Sequence, residues 1–99
     1  MQKGGTVYII TNVHNTILYT GVTANLIARI QEHREKKYVN SFTAKYNVYK
    51  LVYCQSFSTI EEAIAEEKRI KAGNRTQKIK LIESINPSWK DLWEEVSKW

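Results

Sequence analysis

The feature that most limits what this chain can fold into is how few and how short its β-forming segments are. Three runs are rich in β-branched and aromatic residues, at 6–11, 17–20 and 48–54, and such runs are typical of strands. Turn-forming residues at 12–16 separate the first two and predict a hairpin with a loop of about five residues. The chain is therefore predicted to form a small α+β fold with a three-stranded antiparallel sheet.

Two helices are predicted from their capping residues. The first has Thr23 or Asn25 as its N-cap and runs to about Lys36, with apolar residues at helical spacing. The second begins with the capping box of residues 59–62. Its end is predicted at Gly73, in a left-handed cap.

Two more helices are predicted after these, at about 77–85 and at 88–98, where Pro87 and Ser88 mark a helix start. The stretch 38–47 is polar and is assigned no element, so the predicted order is ββαβααα. The last helix carries an apolar stripe of Trp89, Leu92, Trp93 and Val96. This stripe is expected to cover the core, and the alternative is a contact with a second copy or a protein partner.

Length and composition limit the kind of protein. Ninety-nine residues correspond to one domain, predicted to span 1–99. The longest apolar runs, at 7–10 and 51–54, are too short for a membrane span or a signal peptide. The lone Cys54 argues against a disulfide framework and against a thiolate zinc site. A cytoplasmic location is therefore expected.

The charge distribution points to a polyanionic partner. The net charge is +5, and residues 68–80 contain six basic residues and no acidic one, whereas the last seventeen residues have a net charge of −2. Basic side chains gain affinity for nucleic acid by releasing counterions, although a solvated helix face would have the same composition. The candidate DNA-binding residues are Lys45, Lys68, Arg69, Lys71, Arg75 and Lys78.

Glu67 stands where the helical pattern requires an apolar residue. It lies seven residues after Ile60, and it shares the helix face of Ala63, Ile64 and Ile70, whereas Glu66 points off that face. A buried carboxylate is costly unless it is paired or binds a cation. Glu67 is therefore either part of a buried ion pair or core edge, or a metal-binding or catalytic carboxylate.

Other polar residues are predicted to lie near it. Arg29 and His33 are four residues apart, on one side of the first helix, and they either cover the core edge or contact a phosphate and move a proton. Tyr8 and Tyr19 lie on the two paired strands, where tyrosine is common as a packing residue. Together with Glu67, these side chains are a plausible phosphodiester-cleaving set, with the carboxylate holding a divalent cation.

The same residues resemble the signature of the GIY-YIG nucleases. Residues 6–8 (TVY) and 19–21 (YTG) correspond to the two halves of this signature, and ten residues separate Tyr8 from Tyr19. Arg29 and His33 match the pattern that follows, and Glu67 fits the family's acidic metal ligand within EKRIK. The resemblance covers residues 6–86, and the chain looks most like the short, stand-alone bacterial branch.

The resemblance implies a metal-dependent hydrolysis of DNA phosphodiester bonds. Glu67 would hold Mg²⁺ or Mn²⁺, Arg29 would stabilise the phosphoryl charge, and Tyr8 would position water or phosphate. Tyr19 and His33 both remain candidates for the general base. The resemblance also implies a role in DNA repair or processing, on branched, flapped or single-stranded DNA.

This chain departs from the family pattern at several positions. Thr6 replaces a glycine, and Val22 stands where some relatives carry a lysine that lowers a tyrosine pKa. Asn86 is a candidate for an asparagine that the family often places after the catalytic helix. The alternative function is a nucleic-acid-binding module that keeps the nuclease fold without catalysis.

Overall fold

A three-stranded antiparallel sheet and five helices form the regular structure of residues 4–98, the part of the chain that this computed structural model describes. The strands are β1 (Gly5–Thr11), β2 (Leu18–Thr23) and β3 (Lys50–Phe57). The helices are α1 (Leu26–Arg34), α2 (Phe42–Lys45), α3 (Ile60–Ala72), α4 (Arg75–Ile85) and α5 (Trp93–Val96). β1 is central in the order β2-β1-β3, and the predicted α+β fold is confirmed.

The sheet divides the core into two layers because successive side chains of β1 point to opposite faces. One layer joins β1 and β3 to α3 and α4 and contains Val7, Ile9, Val52, Tyr53, Ala63, Ile70 and Ile82. The other joins them to α1 and the C-terminal segment and contains Tyr8, Ile10, Leu26, Ile30, Val48, Leu51 and Val96. The central strand is consequently buried along its whole length.

The helix starts follow the capping side chains. Asn25, one of the two candidates for the first cap, accepts a hydrogen bond from the backbone of Ala28. The predicted capping box at the start of α3 is confirmed, with Thr59 and Glu62 each bonded to the other's backbone N–H. A second box, formed by Asn74 and Gln77, begins α4 two residues earlier than predicted. The sequence reasoning overlooked it because Asn–Gln is the less common version of this motif.

The stretch 38–47 contains a short helix that the sequence analysis did not predict. The Ser41 side chain accepts a hydrogen bond from the backbone of Ala44 and caps α2. The third strand begins at Lys50 and continues to Phe57, later at both ends than predicted. The observed order is therefore ββααβααα.

Two predictions about the helices were wrong in part. Helix α3 ends at Gly73 as predicted, but this residue has φ −78° and ψ 166°, an extended conformation and not a left-handed one. The helix predicted at 88–98 is only the four residues of α5, because Trp89 has φ 56° and interrupts any earlier helix. The side chains of Leu92 and Trp93 pack against the chain's own core, so the apolar stripe covers that core as expected.

Within residues 4–98, no helix has the length and apolar character that crossing a bilayer requires.

Candidate active site

The two signature tyrosines share one face of the sheet because of the strand register. Tyr8 pairs with Gly21, and Ile10 pairs with Tyr19. Directly opposed residues of an antiparallel pair point to the same face, as do residues two apart on one strand. Tyr8 and Tyr19 therefore both face α1, the helix that carries Arg29 and His33.

Gly21 makes room for the Tyr8 ring. A Cβ atom at position 21 would lie 2.4 Å from both Cζ and Oη of Tyr8, far inside van der Waals contact. The ring itself is only 1% exposed. Glycine at this position is therefore a packing requirement of the tyrosine across the strand pair.

Tyr8 and His33 are in direct contact. The Tyr8 hydroxyl lies 3.0 Å from Nε2 of His33, and Nδ1 of the same ring lies 3.1 Å from Oγ1 of Thr43. The Tyr19 ring meets the imidazole edge-on, with 5.9 Å between the ring centroids. Thr43, on α2, was missed by the sequence analysis because a threonine in a polar stretch carries no signal of such a contact.

The pKa values of this pair are shifted in a way that keeps both groups neutral. Burial raises the pKa of Tyr8 to about 12, and the nearby Arg29 guanidinium only partly opposes this. Burial, followed by repulsion from Arg29, lowers the pKa of His33 below its ordinary value. At neutral pH the phenol can therefore donate to Nε2 of a neutral imidazole, whose Nδ1–H then donates to Thr43.

Arg29 lies at the edge of a cleft in front of these groups. Its Nη1 donates to Oε1 of Glu32 at 3.2 Å, and Lys37 shares that carboxylate at 3.4 Å. The guanidinium remains partly exposed, so it can turn toward a ligand. The cleft has a volume of about 330 Å³ and is lined by Tyr19, Arg29, Glu32, His33, Lys36, Tyr38, Ser41, Phe42 and Thr43.

Glu67 lies on α3, which packs against β1 and β2 from the side of Val7 and Ile9, and it is not among the residues that line the cleft. Its negative charge contributes to the raised pKa of Tyr8. The side chain is 13% exposed, and Oε2 lies 2.8 Å from Nζ of Lys71. The ion-pair alternative from the sequence analysis is thus present, with a partner that is half exposed to solvent.

The helical pattern was less accurate for the neighbours of Glu67. Ile64, assigned to the buried face, is 37% exposed. Glu66, assigned off that face, has a side chain only 18% exposed, and it pairs with Arg69. Glu66 faces Tyr53, whose pKa burial raises first and this carboxylate second. The charge of Glu66 therefore acts on Tyr53, and the charge of Glu67 acts more weakly on Tyr8.

The donor set fits a metal ion that keeps most of its water ligands. Among the residues that the structure describes, no three His, Cys, Asp or Glu side chains are grouped closely enough to form a metal cage. The Glu67 carboxylate already attracts a cation, the Lys71 ammonium. One carboxylate that leaves the other ligand positions to water suits Mg²⁺ or Mn²⁺ better than zinc or calcium.

The predicted DNA-binding residues lie in two places. Lys45 is exposed on α2, near the cleft that Phe42 and Thr43 line. The others lie on α3 and α4: Lys68, Arg69, Lys71, Arg75 and Lys78. Two of these have carboxylate partners, since Arg69 pairs with Glu66 and Lys71 with Glu67.

Asn86 has a structural position instead of a place in the cleft. Its side chain is buried and donates to the backbone oxygens of Val52 and Lys90. These hydrogen bonds hold the C-terminal segment against β3, so the resemblance to the family's asparagine does not extend to this cluster.

Known proteins are similar to this chain in sequence and fold. Residues 4–80 match the model of the GIY-YIG catalytic domain. A "UPF0213 protein" of Staphylococcus haemolyticus is 42% identical over 77 residues, covering 78% of this chain and 92% of that protein. Another, from Syntrophus aciditrophicus, is 36% identical over 81 residues, covering 82% and 91%.

A solved structure gives the same result. The NMR structure of a UPF0213 protein from Bacillus halodurans superposes with a TM-score of 0.56 and 26% identity, covering 88% of this chain and 90% of that one. The match of sequence and fold, together with the tyrosine pair and the carboxylate, shows that the chain belongs to the GIY-YIG family.

Proposed function

We propose that this protein is an endonuclease that hydrolyses DNA phosphodiester bonds with Mg²⁺ or Mn²⁺, acting in DNA repair or processing as a single domain over residues 1–99. The main support is the hydrogen bond between the Tyr8 hydroxyl and Nε2 of His33, beside Arg29 and Glu67. A hydroxyl in contact with a neutral imidazole can move a proton at pH 7.

The proton of the attacking water passes to His33 by way of Tyr8. Because Tyr8 is only 1% exposed, substrate binding has to admit one water to its oxygen. That oxygen takes a proton from the water while its own proton moves to Nε2 of His33, 3.0 Å away. The resulting hydroxide attacks phosphorus, the bond to the 3′ oxygen breaks, and the 3′ oxygen leaves as an oxyanion that takes a proton from solvent. Because the phenol gains one proton as it loses another, its raised pKa does not prevent catalysis. His33 is therefore the proton acceptor, and Tyr19 packs against its ring.

The negative charge on the phosphate would be balanced by Arg29 and by the cation that Glu67 would hold. Arg29 lies on the rim of the cleft and can donate two parallel hydrogen bonds to phosphoryl oxygens. Glu67 would hold the divalent cation, which would supply Lewis-acid stabilisation of the leaving oxygen when bound.

The pH profile tests the role of His33. Since burial and Arg29 lower the pKa of His33, its active neutral form predominates at pH 7, and kcat should fall as the pH drops through that lowered pKa. The variant His33→Gln should lose this acidic limb and lower kcat by about 10²-fold. The variant Tyr19→Phe, which keeps the ring packing, should retain the limb. A limb that persists in His33→Gln and disappears in Tyr19→Phe would make Tyr19 the base.

The rim of the cleft favours substrates with unpaired bases, among the branched, flapped and single-stranded forms of DNA. Three aromatic side chains, Tyr38, Phe42 and Tyr46, are each more than half exposed. Phe42 and Tyr46 are in contact, with ring centroids 5.0 Å apart. Basic residues at Lys36, Lys37 and Lys45 are interleaved with them. Exposed aromatic rings beside cations are the usual platform for stacking of single-stranded nucleic acid.

Removing this platform should weaken binding to single strands. The double substitution Phe42→Ala and Tyr46→Ala should raise the Kd for single-stranded DNA by roughly 10-fold or more, while duplex binding changes little. Fluorescence anisotropy with catalytically blocked protein measures both. The matched control is Ile85→Ala, which removes an equally exposed apolar side chain from the end of α4. Equal losses for single strands and duplex would show that these rings do not select unpaired bases.

A cleavage assay separates the nuclease from the binding module. The folded protein should nick at least one member of a panel of branched, flapped and single-stranded DNA with Mg²⁺ or Mn²⁺. Salt-dependent binding without any turnover would identify the non-catalytic module instead.

A further inference from the structure

Residues 86–96 lie beyond the region that matches the family model, which ends at residue 80. This segment is attached to the sheet by specific hydrogen bonds. The buried Asn86 side chain donates to the backbone oxygen of Val52 at 3.1 Å, and it also bonds to both backbone groups of Lys90, at 2.8 and 3.1 Å. The segment is therefore ordered against β3.

The Asp91 carboxylate joins this segment to two other elements. Its Oδ1 accepts hydrogen bonds from the backbone N–H of Leu51 on β3, at 3.2 Å, and of Trp93, at 3.1 Å. Its Oδ2 accepts from Nη1 of Arg34 at 2.8 Å. Charged hydrogen bonds of this kind are stronger than neutral ones, so one side chain connects the sheet edge, the C-terminal segment and α1.

Arg34 is also held by aromatic rings. Its guanidinium carbon lies 5.3 Å from the centroid of Tyr49 and 5.4 Å from that of Trp93. Both distances are within cation–π range. Arg34 is the last residue of α1 and directly follows His33, so its anchoring restrains the turn that carries the imidazole.

We propose that Asp91 and Arg34 are positioning residues, which fix the last turn of α1 so that Nε2 of His33 stays within hydrogen-bond distance of the Tyr8 hydroxyl. The effect on catalysis rests on the proposed nuclease function, whereas the effect on the position of His33 does not. The C-terminal segment therefore holds the last turn of α1 in place, although none of its residues has a role in the proposed cleavage reaction.

The test uses the full chain with Asp91→Asn, which keeps an oxygen for the two backbone donors but removes the charged bond to Arg34. The ring resonances of His33 should shift in NMR spectra, and the cross-peaks between the His33 and Tyr8 rings should weaken. Cleavage should show kcat lowered roughly tenfold or more with KM within about twofold, because misplacement affects the transition state more than binding.

A second variant, Arg34→Met, breaks the same pair from the other side and leaves the backbone bonds of Asp91 intact. If the two residues act through one contact, the double variant should be no worse than either single variant. The control is Glu95→Gln, which breaks the exposed ion pair with Lys90 in the same segment and should leave the His33 signals unchanged.

Two results would overturn the inference: His33 resonances that stay in place in both Asp91→Asn and Arg34→Met, or equal shifts in Glu95→Gln. If the resonances move as expected but the wild-type protein cleaves no DNA, the positioning role stands and the proposed function fails. If the wild-type protein cleaves DNA but the His33 resonances do not move in the variants, the proposed function stands and the positioning role fails.

Discussion

The variant Glu67→Gln is expected to lower kcat for DNA cleavage by about 10³-fold or more, since the cation it would hold accounts for several kcal/mol of transition-state stabilisation. The fold should survive because the amide has the shape of the carboxylate. The ion pair lost with Lys71 spans four residues of one helix, and such pairs contribute only about 0.3–0.5 kcal/mol. Single-turnover cleavage with Mn²⁺, together with DNA binding by anisotropy, measures the two effects separately.

Glu66, the residue before Glu67, provides a matched control for the Glu67→Gln variant. Glu66 is on the same helix, its side chain is 18% exposed against 13% for Glu67, and it also has a basic partner on α3. It faces Tyr53 rather than Tyr8, so Glu66→Gln should change kcat by less than about twofold. Equal losses in the two variants, or full activity in Glu67→Gln, would contradict the assignment of Glu67 as the metal ligand.

The variant Gly21→Ala is expected to lose both stability and activity. The added Cβ would lie 2.4 Å from the Tyr8 hydroxyl oxygen, so the buried ring must move. Overpacking of this kind costs about 1–3 kcal/mol of unfolding free energy. The displaced hydroxyl would also lose its hydrogen bond with His33. The cleavage rate should fall because the proton can no longer pass from Tyr8 to His33. Urea unfolding with an unchanged m-value measures the loss of stability.

Gly73→Ala is the control for the glycine substitution itself. Position 73 has an ordinary φ of −78°, and the nearest atom to an added Cβ is Oε1 of Gln77 at 2.7 Å, which accepts a capping hydrogen bond from the backbone of Asn74. The substitution should therefore lower the unfolding free energy by no more than the value of that cap, about 1 kcal/mol. If Gly21→Ala is as stable and active as this control, the close approach to Tyr8 does not constrain position 21.

The parts of the fold that could be predicted from the sequence are those encoded over a few residues. Strand composition and turn residues placed the hairpin between β1 and β2, and the Thr59–Glu62 box placed the start of α3. Glu67 stood out because a carboxylate interrupted an apolar period, and its charge makes a small contribution to the raised pKa of Tyr8. Such signals are local, so they remain readable without the tertiary structure.

The parts that could not be predicted depend on contacts between distant residues. The last helix was overestimated because its apolar spacing was helical, whereas Asn86 and Asp91 bind the backbone and hold an irregular path with Trp89 at φ 56°. Thr43 gave no signal, because its value as a partner of His33 exists only once α2 packs beside α1.

The sequence by itself determined the sheet and the starts of α1 and α3, since strand composition and capping act between near neighbours. Its resemblance to the GIY-YIG pattern picked out the set of polar residues. Only the tertiary structure decided which of these residues touch. Tyr8 meets His33 across 25 positions of the chain, and Arg34 meets Asp91 across 57. Burial then set the protonation of Tyr8 and His33, because desolvation acts on a side chain only after other elements have covered it.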